Sequence, residues 1–260
     1  MSIITLVENW QGNFKKTSFE AVSYAKEIAN KTGQELIALT FGGNNLEVLG
    51  SYGADKILNI SNIDFDNHSA NDIAIVCSNI IRENNSSTII ISNTNMGKYI
   101  APLLAQRINA GLITNAIEYP EKNNPFVVKC KAFSSKSYVK YESDYKTNII
   151  TIVPNSIGEI NKNDGQGEIK NIEFTSPLNG KIRIKDRQNL SEKISLSDAD
   201  IVVSAGRGLK GAENWDMIED LAKVLGAATA CSKPVSDMGW RPHSEHVGQT
   251  GLAVNPELYI

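Results

Sequence analysis

Cysteine is scarce in this chain. Its 260 residues hold three, Cys77, Cys130 and Cys231, far apart and without a CxxC pair. That usage excludes a disulfide scaffold, and reduced cytosolic thiols are expected. Histidine is equally rare, at three residues. His243 and His246 form an HxxH pair around Glu245, but it follows Pro242 in a loop and lacks a third strong ligand. No metal site is expected there. No Ser-His-Asp or Cys-His arrangement can be argued from the residue order. Charge is nearly balanced, with 26 Lys+Arg against 29 Asp+Glu and a net −3. No basic field is available to hold a nucleic-acid backbone, which removes that partner class. No apolar run is long enough to span a bilayer. The stretch from Met1 to Glu8 is too short and too soon acidic for a signal peptide. A soluble, cytoplasmic protein is expected. No repeat or low-complexity tract stands out.

What is present is a packed α/β pattern. Hydrophobic residues make up 41%, ample for a core. Strands are expected at Ile3–Val7, Glu35–Phe41, Lys56–Ile60 and Thr88–Ser92. Helices are expected at Lys16–Lys31, Leu46–Tyr52, Asn71–Glu83 and Tyr99–Asn109, where apolar residues recur at helical spacing. Alternating strands and helices argue for a parallel sheet covered on both faces. After Leu112 the pattern changes. Asn115–Tyr119, Phe126–Phe133, Tyr138–Tyr141 and Asn148–Val153 read as strands without helices between them, and Ile172–Phe174 regains strand character. A small antiparallel excursion on the sheet edge is expected. The charged stretch from Asn179 to Leu196 reads as a connection. The expected organisation is an N-terminal three-layer domain over 1–197 and a doubly wound domain over 198–260.

The chemistry concentrates in the last sixth of the chain. Ile201–Ser204 reads as a strand and Glu213–Leu225 as an amphipathic helix. Between them lie Gly206, Arg207, Gly208 and Gly211. Strand, glycine turn and helix is the order in which a helix N-terminus offers backbone N–H groups to a phosphate. A tight turn without a ligand has the same spacing. Arg207 adds a planar fork that can pair with a phosphate. A nicotinamide site expects an acidic residue ~20 positions on, at the end of the next strand. Ser232 and Lys233 stand there instead, after the strand Ala227–Cys231. Further on come Val247-Gly248-Gln249-Thr250-Gly251, whose glycines let backbone approach a flat ring.

With Ser232-Lys233-Pro234 and Val247-Gly248-Gln249-Thr250-Gly251 in this order, the chain resembles the α subunits of electron-transfer flavoproteins. The likeness is diffuse in the first domain and sharp in the second. It implies an electron carrier, not a catalyst of substrate chemistry. It implies FAD in the C-terminal domain, held by Arg207, Ser232, Lys233, Val247, Gly248, Gln249 and Thr250. Thr250 is then the partner of flavin N5, and Gln249 a second polar contact. Lys233 stands where the family usually has arginine, and the resemblance implies that its charge lies beside the flavin. The first domain is expected to pack against a β subunit. Flavin dehydrogenases such as acyl-CoA dehydrogenases are the implied donors, and a membrane-bound quinone oxidoreductase the implied acceptor. Related chains continue past Leu258-Tyr259-Ile260 into glutamine-histidine and asparagine-lysine-aspartate motifs, so a truncated FAD domain is expected. An NAD-linked oxidoreductase and a nucleotide-binding α/β protein of another kind are the alternatives, each resting on the glycine turn.

Overall fold

The computed structural model describes residues 1–123, 125–178, 185, 196, 199–248 and 250–260. Two compact units are present, Met1–Arg187 and Gln188–Ile260. The expected boundary between 197 and 198 and most of the expected connection over 179–196 lie outside the described residues.

In chain order the first unit runs β1 (Ser2–Leu6), β2 (Asn9–Trp10), β3 (Asn13–Phe14), α1 (Lys16–Thr32), β4 (Glu35–Phe41), α2 (Glu47–Ser51), β5 (Lys56–Ile60), α3 (Ala70–Glu83), β6 (Ser86–Ser92) and α4 (Asn95–Ile108). It continues with β7 (Gly111–Ala116), β8 (Lys122–Asn123), β9 (Phe126–Ala132), β10 (Ser137–Ser143), β11 (Asn148–Ile152) and β12 (Glu168–Ile172). The main sheet has the order β10-β9-β7-β11-β6-β1-β4-β5-β12, with β8 paired to β9. From β7 to β12 every pairing is parallel. β9 runs antiparallel to β7, β8 and β10, which is the expected excursion.

Alternation along the strands fills two cores. Ile3, Leu36, Ala38, Ile90 and Ile150 pack on one face with Val22, Ala25 and Ile28 of α1. Ile4, Ile37, Leu39, Ile89, Ile91 and Ile149 pack on the other with Ile73, Val76 and Ile80 of α3 and Leu104 of α4. Both faces are covered, so the strands are apolar on both sides. Helix ends follow local chemistry. Ser69 and Asp72 cap α3 reciprocally, and Gly33 ends α1 at φ 66.

Some boundaries differ from the sequence expectation. α4 begins at Asn95 rather than Tyr99, because Thr94 accepts from the Gly97 N–H at 3.0 Å and caps the first turn. Pro102 lies inside that helix without ending it. The strand expected at Asn115–Tyr119 is Gly111–Ala116, paired in parallel with β11 with a register shift between Ile150 and Ile152. Leu112 and Thr114 on it are exposed, so no apolar alternation marked it. The strand expected at Ile172–Phe174 is Glu168–Ile172, a mostly exposed edge strand.

The loop after β11 is tied down by one carboxylate. Glu20 of α1 is 1% exposed. It accepts from the backbone N–H groups of Asn155, Ser156, Ile157 and Gly158 at 2.8, 3.0, 2.9 and 3.1 Å. Polar sequence that reads as loose is thereby fastened to the helix.

The second unit holds β13 (Ile201–Ala205), α5 (Asp216–Leu225), β14 (Ala228–Cys231), α6 (Lys233–Asp237) and β15 (Leu258–Tyr259). The strand order is β14-β13-β15, and both pairings are parallel. Leu196, Ala199, Val202, Ala228 and Ala230 form one small core. Trp215, Cys231 and Val235 form another.

Candidate functional site

The parallel register of β13 and β14 sets Ala205 beside Cys231. The Ser232 N–H extends the ladder by donating to the Ala205 carbonyl at 3.1 Å. Each strand therefore ends level with the other, and the turns at Gly206 and Ser232 are neighbours. A Cβ added to Gly206 would first meet the Ser232 Oγ, at 3.6 Å. Ser232 sits at the N-cap of α6, yet its hydroxyl does not cap that helix. Lys233 follows, exposed, at the first position of α6.

The turn after β13 is not the simple one expected. Arg207–Leu209 and Ala212–Asn214 form two 3₁₀ turns, and α5 starts only at Asp216. Lys210 at φ 67 breaks the run between them. The Asn214 side chain donates to the Leu209 carbonyl at 2.8 Å and fixes the pair of turns. Arg207 is exposed on the first turn. No α-helix N-terminus stands directly at Gly211; a 3₁₀ turn separates it from α5.

A third segment joins the same strand ends. The Val247 N–H donates to the Cys231 carbonyl at 3.1 Å, and His246 bridges Cys231 in parallel. Gly251 N–H donates to the Gly248 carbonyl at 2.9 Å and closes a turn. The segment is not the hairpin its glycines allow, because β15 beyond it pairs in parallel with β13. Gly248 has φ 108 and Thr250 φ 67. A β-branched residue in the left-handed region is a genuine outlier, and such strain clusters at ligand sites. Gly251 permits the close packing: an added Cβ would lie 2.5 Å from the His246 carbonyl oxygen. Gln249 lies outside the described residues.

The structure thus brings Arg207, Ser232, Lys233, Val247 and Gly248 to the carboxyl ends of two parallel strands, with Thr250 on the same loop. That is where open α/β sheets take ligands. An added Cβ at Gly208 or Gly248 meets nothing within 4 Å, so the space above both turns is open. His243 and His246 serve the fold: the His243 Nδ1 bonds the Ser236 Oγ at 2.8 Å, and His246 is buried.

Sequence reasoning missed one arrangement beneath the site. Arg241 donates to both Glu245 carboxylate oxygens, Nε at 2.7 Å and Nη2 at 2.6 Å. Its Nη1 lies 3.0 Å from Glu219 of α5, and its guanidinium sits 5.3 Å from the centre of the Trp215 ring. Hydrogen bonding to Glu245, with both carboxylate charges, makes Arg241 hold its proton more tightly. Burial pushes the Cys231 thiol up; Glu245 adds to this and Arg241 opposes it. The i,i+4 spacing of Arg241 and Glu245 was a signal, but such spacing is too common to single out a pair.

Family models match both parts of the chain. The electron transfer flavoprotein domain matches residues 3–177, and the electron transfer flavoprotein FAD-binding domain residues 195–260. The electron transfer flavoprotein subunit alpha of Syntrophomonas wolfei is 32% identical over 260 residues, covering 98% of this chain and 80% of that protein. The subunit of the same name from Bacillus subtilis is 30% identical over 262 residues, covering 99% and 80%. Protein FixB of Clostridium saccharobutylicum is 27% identical over 261 residues, covering 97% and 78%. The chain belongs to the electron transfer flavoprotein α-subunit family: it is an FAD-binding electron carrier rather than an enzyme of substrate chemistry.

Proposed function

We propose that this chain, paired with a β subunit in the cytoplasm, holds FAD at the carboxyl ends of β13 and β14. In this reading it relays electrons from flavin dehydrogenases, such as acyl-CoA dehydrogenases, to a membrane-bound quinone oxidoreductase. The observation that carries it is the convergence of Gly206–Gly208, Ser232–Lys233 and Val247–Gly248 on adjacent strand ends. The donor set suits the group. Arg207 offers a fork to an anionic pyrophosphate, and Ser232 keeps a hydroxyl that no helix cap uses. Lys233 supplies positive charge where an electron-rich ring needs it. Thr250 carries a hydroxyl that both donates and accepts, which suits a ring nitrogen that changes role with redox state. Gln249 adds a second polar contact, and Val247 and Gly248 let the backbone come close to the ring. When bound, the flavin supplies the redox chemistry; the chain binds and orients it and tunes its electronics.

The test is a titration of the complex with its β subunit. Arg207→Ala removes a charge-assisted pair, which typically costs about 1.5–3 kcal/mol. FAD affinity should fall by roughly tenfold to more than a hundredfold. An unchanged dissociation constant puts Arg207 outside the site. The donor is tested separately, by mixing the loaded complex with an acyl-CoA dehydrogenase and its substrate. Loss of the oxidised flavin absorbance supports that donor, and an unbleached spectrum excludes it.

A further inference from the structure

We propose that Arg241 is a positioning residue for the Val247–Thr250 loop, acting through Glu245 and His246. The proposal rests on the reading that this loop faces the flavin. Three observations carry it. Arg241 is held from three sides: a bidentate pair with Glu245, a contact to Glu219 at 3.0 Å and the Trp215 ring. Its side chain is 16% exposed and that of Glu245 13%, so the pair is shielded from water and geometrically fixed. Glu245 is joined in the chain to His246, which bridges Cys231, and then to Val247, which donates to the Cys231 carbonyl.

The clamp therefore spans both sides of the site. Trp215 and Glu219 lie at the start of α5, just after the turns that carry Arg207. Glu245 lies on the 3₁₀ turn His243–Glu245 that leads into the Val247 loop. Fixing one against the other sets the distance between the phosphate-facing turn and the ring-facing loop. Arg241 touches neither end of the proposed ligand site among the described residues. Thr250 is held at φ 67, a conformation that persists only when its surroundings over-determine it. The clamp is part of what determines them.

A merely structural ion pair would affect stability alone, so the test reads the flavin. The full chain is prepared with its β subunit and FAD as wild type, Arg241→Met, Thr250→Val and the double variant. Arg241→Met should weaken FAD binding by about fivefold, the worth of one lost hydrogen bond. It should also move the midpoint potential in the same direction as Thr250→Val. The double variant should shift the potential no further than Thr250→Val alone, because both changes remove one contact. Additive shifts, or a lowered melting temperature with an unmoved potential, overturn the proposal. If Arg241→Met does not accumulate, Arg241→Lys takes its place in the cycle, since lysine keeps the charge and loses the fork. If Thr250→Val leaves the potential unmoved while Arg207→Ala still weakens FAD, the loop reading fails and this proposal with it. Failure of the cycle alone leaves the loop reading standing.

Discussion

At the scale of the residue, two exposed cations and one strained threonine define what can be tested. Lys233 stands just past the end of β14, exposed at the first position of α6. Lys233→Met keeps the stem and removes the charge. A lost charge interaction of about 1 kcal/mol, of the size expected near water, lowers a one-electron potential by roughly 40 mV. Potentiometry on the complex should show that fall, and Lys233→Arg should restore the value. If Lys233→Met leaves the potential unchanged, the lysine points away from the ring. The residue types at these positions were legible in the sequence because their chemistry is local. Of the Arg241 clamp only the Glu245 spacing was local; the Trp215 ring and the Glu219 carboxylate are brought near only by packing.

At the scale of the element, polar sequence proved as decisive as apolar periodicity. The loop over 155–158 carries no hydrophobic pattern that would order it. It is ordered because four N–H groups converge on the Glu20 carboxylate. Glu20→Ala takes the charged acceptor from four part-buried donors, which should cost about 1.5–3 kcal/mol. Glu20→Gln keeps one acceptor oxygen but turns an amide toward the donors, so it should cost less. Urea denaturation is the measurement, and a midpoint unmoved by Glu20→Ala would mean that water already serves these groups. The periodic helices α1 and α3 were legible to within a residue or so at each end, because burial on one face imposes the period. The start of α4 was less so, since a capping threonine outweighs the Gly97 and Pro102 that argue against an early helix. The start of α5 falls a few residues after the expected Glu213, because Ala212–Asn214 form a 3₁₀ turn ahead of the α-helix.

At the scale of the whole molecule, the two units are different kinds of object. The first has two extensive cores on either side of its sheet. The second rests on two small clusters around a short sheet. A ligand held by the second should stabilise it by mass action, by about 2.7 kcal/mol at a hundredfold excess over the dissociation constant. Hydrogen exchange of the complex with and without FAD should show slower exchange in β13 and β14 and little change in β1, β4 and β6. Equal protection in both units would show that they open together.

By itself the sequence determined the class of fold, the alternation of strand and helix, the antiparallel excursion and the family resemblance. Those follow from periodicity, turn chemistry and short motifs, which are properties of neighbours along the chain. Only the tertiary structure decided that Gly206, Ser232 and Val247 end on adjacent strands, because the register of β13 and β14 is set by side-chain burial across the sheet. It alone decided that Glu20 fastens a loop over 130 residues away and that Arg241 joins α5 to the turn before Val247. Such contacts depend on which distant groups packing brings into reach, and no spacing along the chain records that.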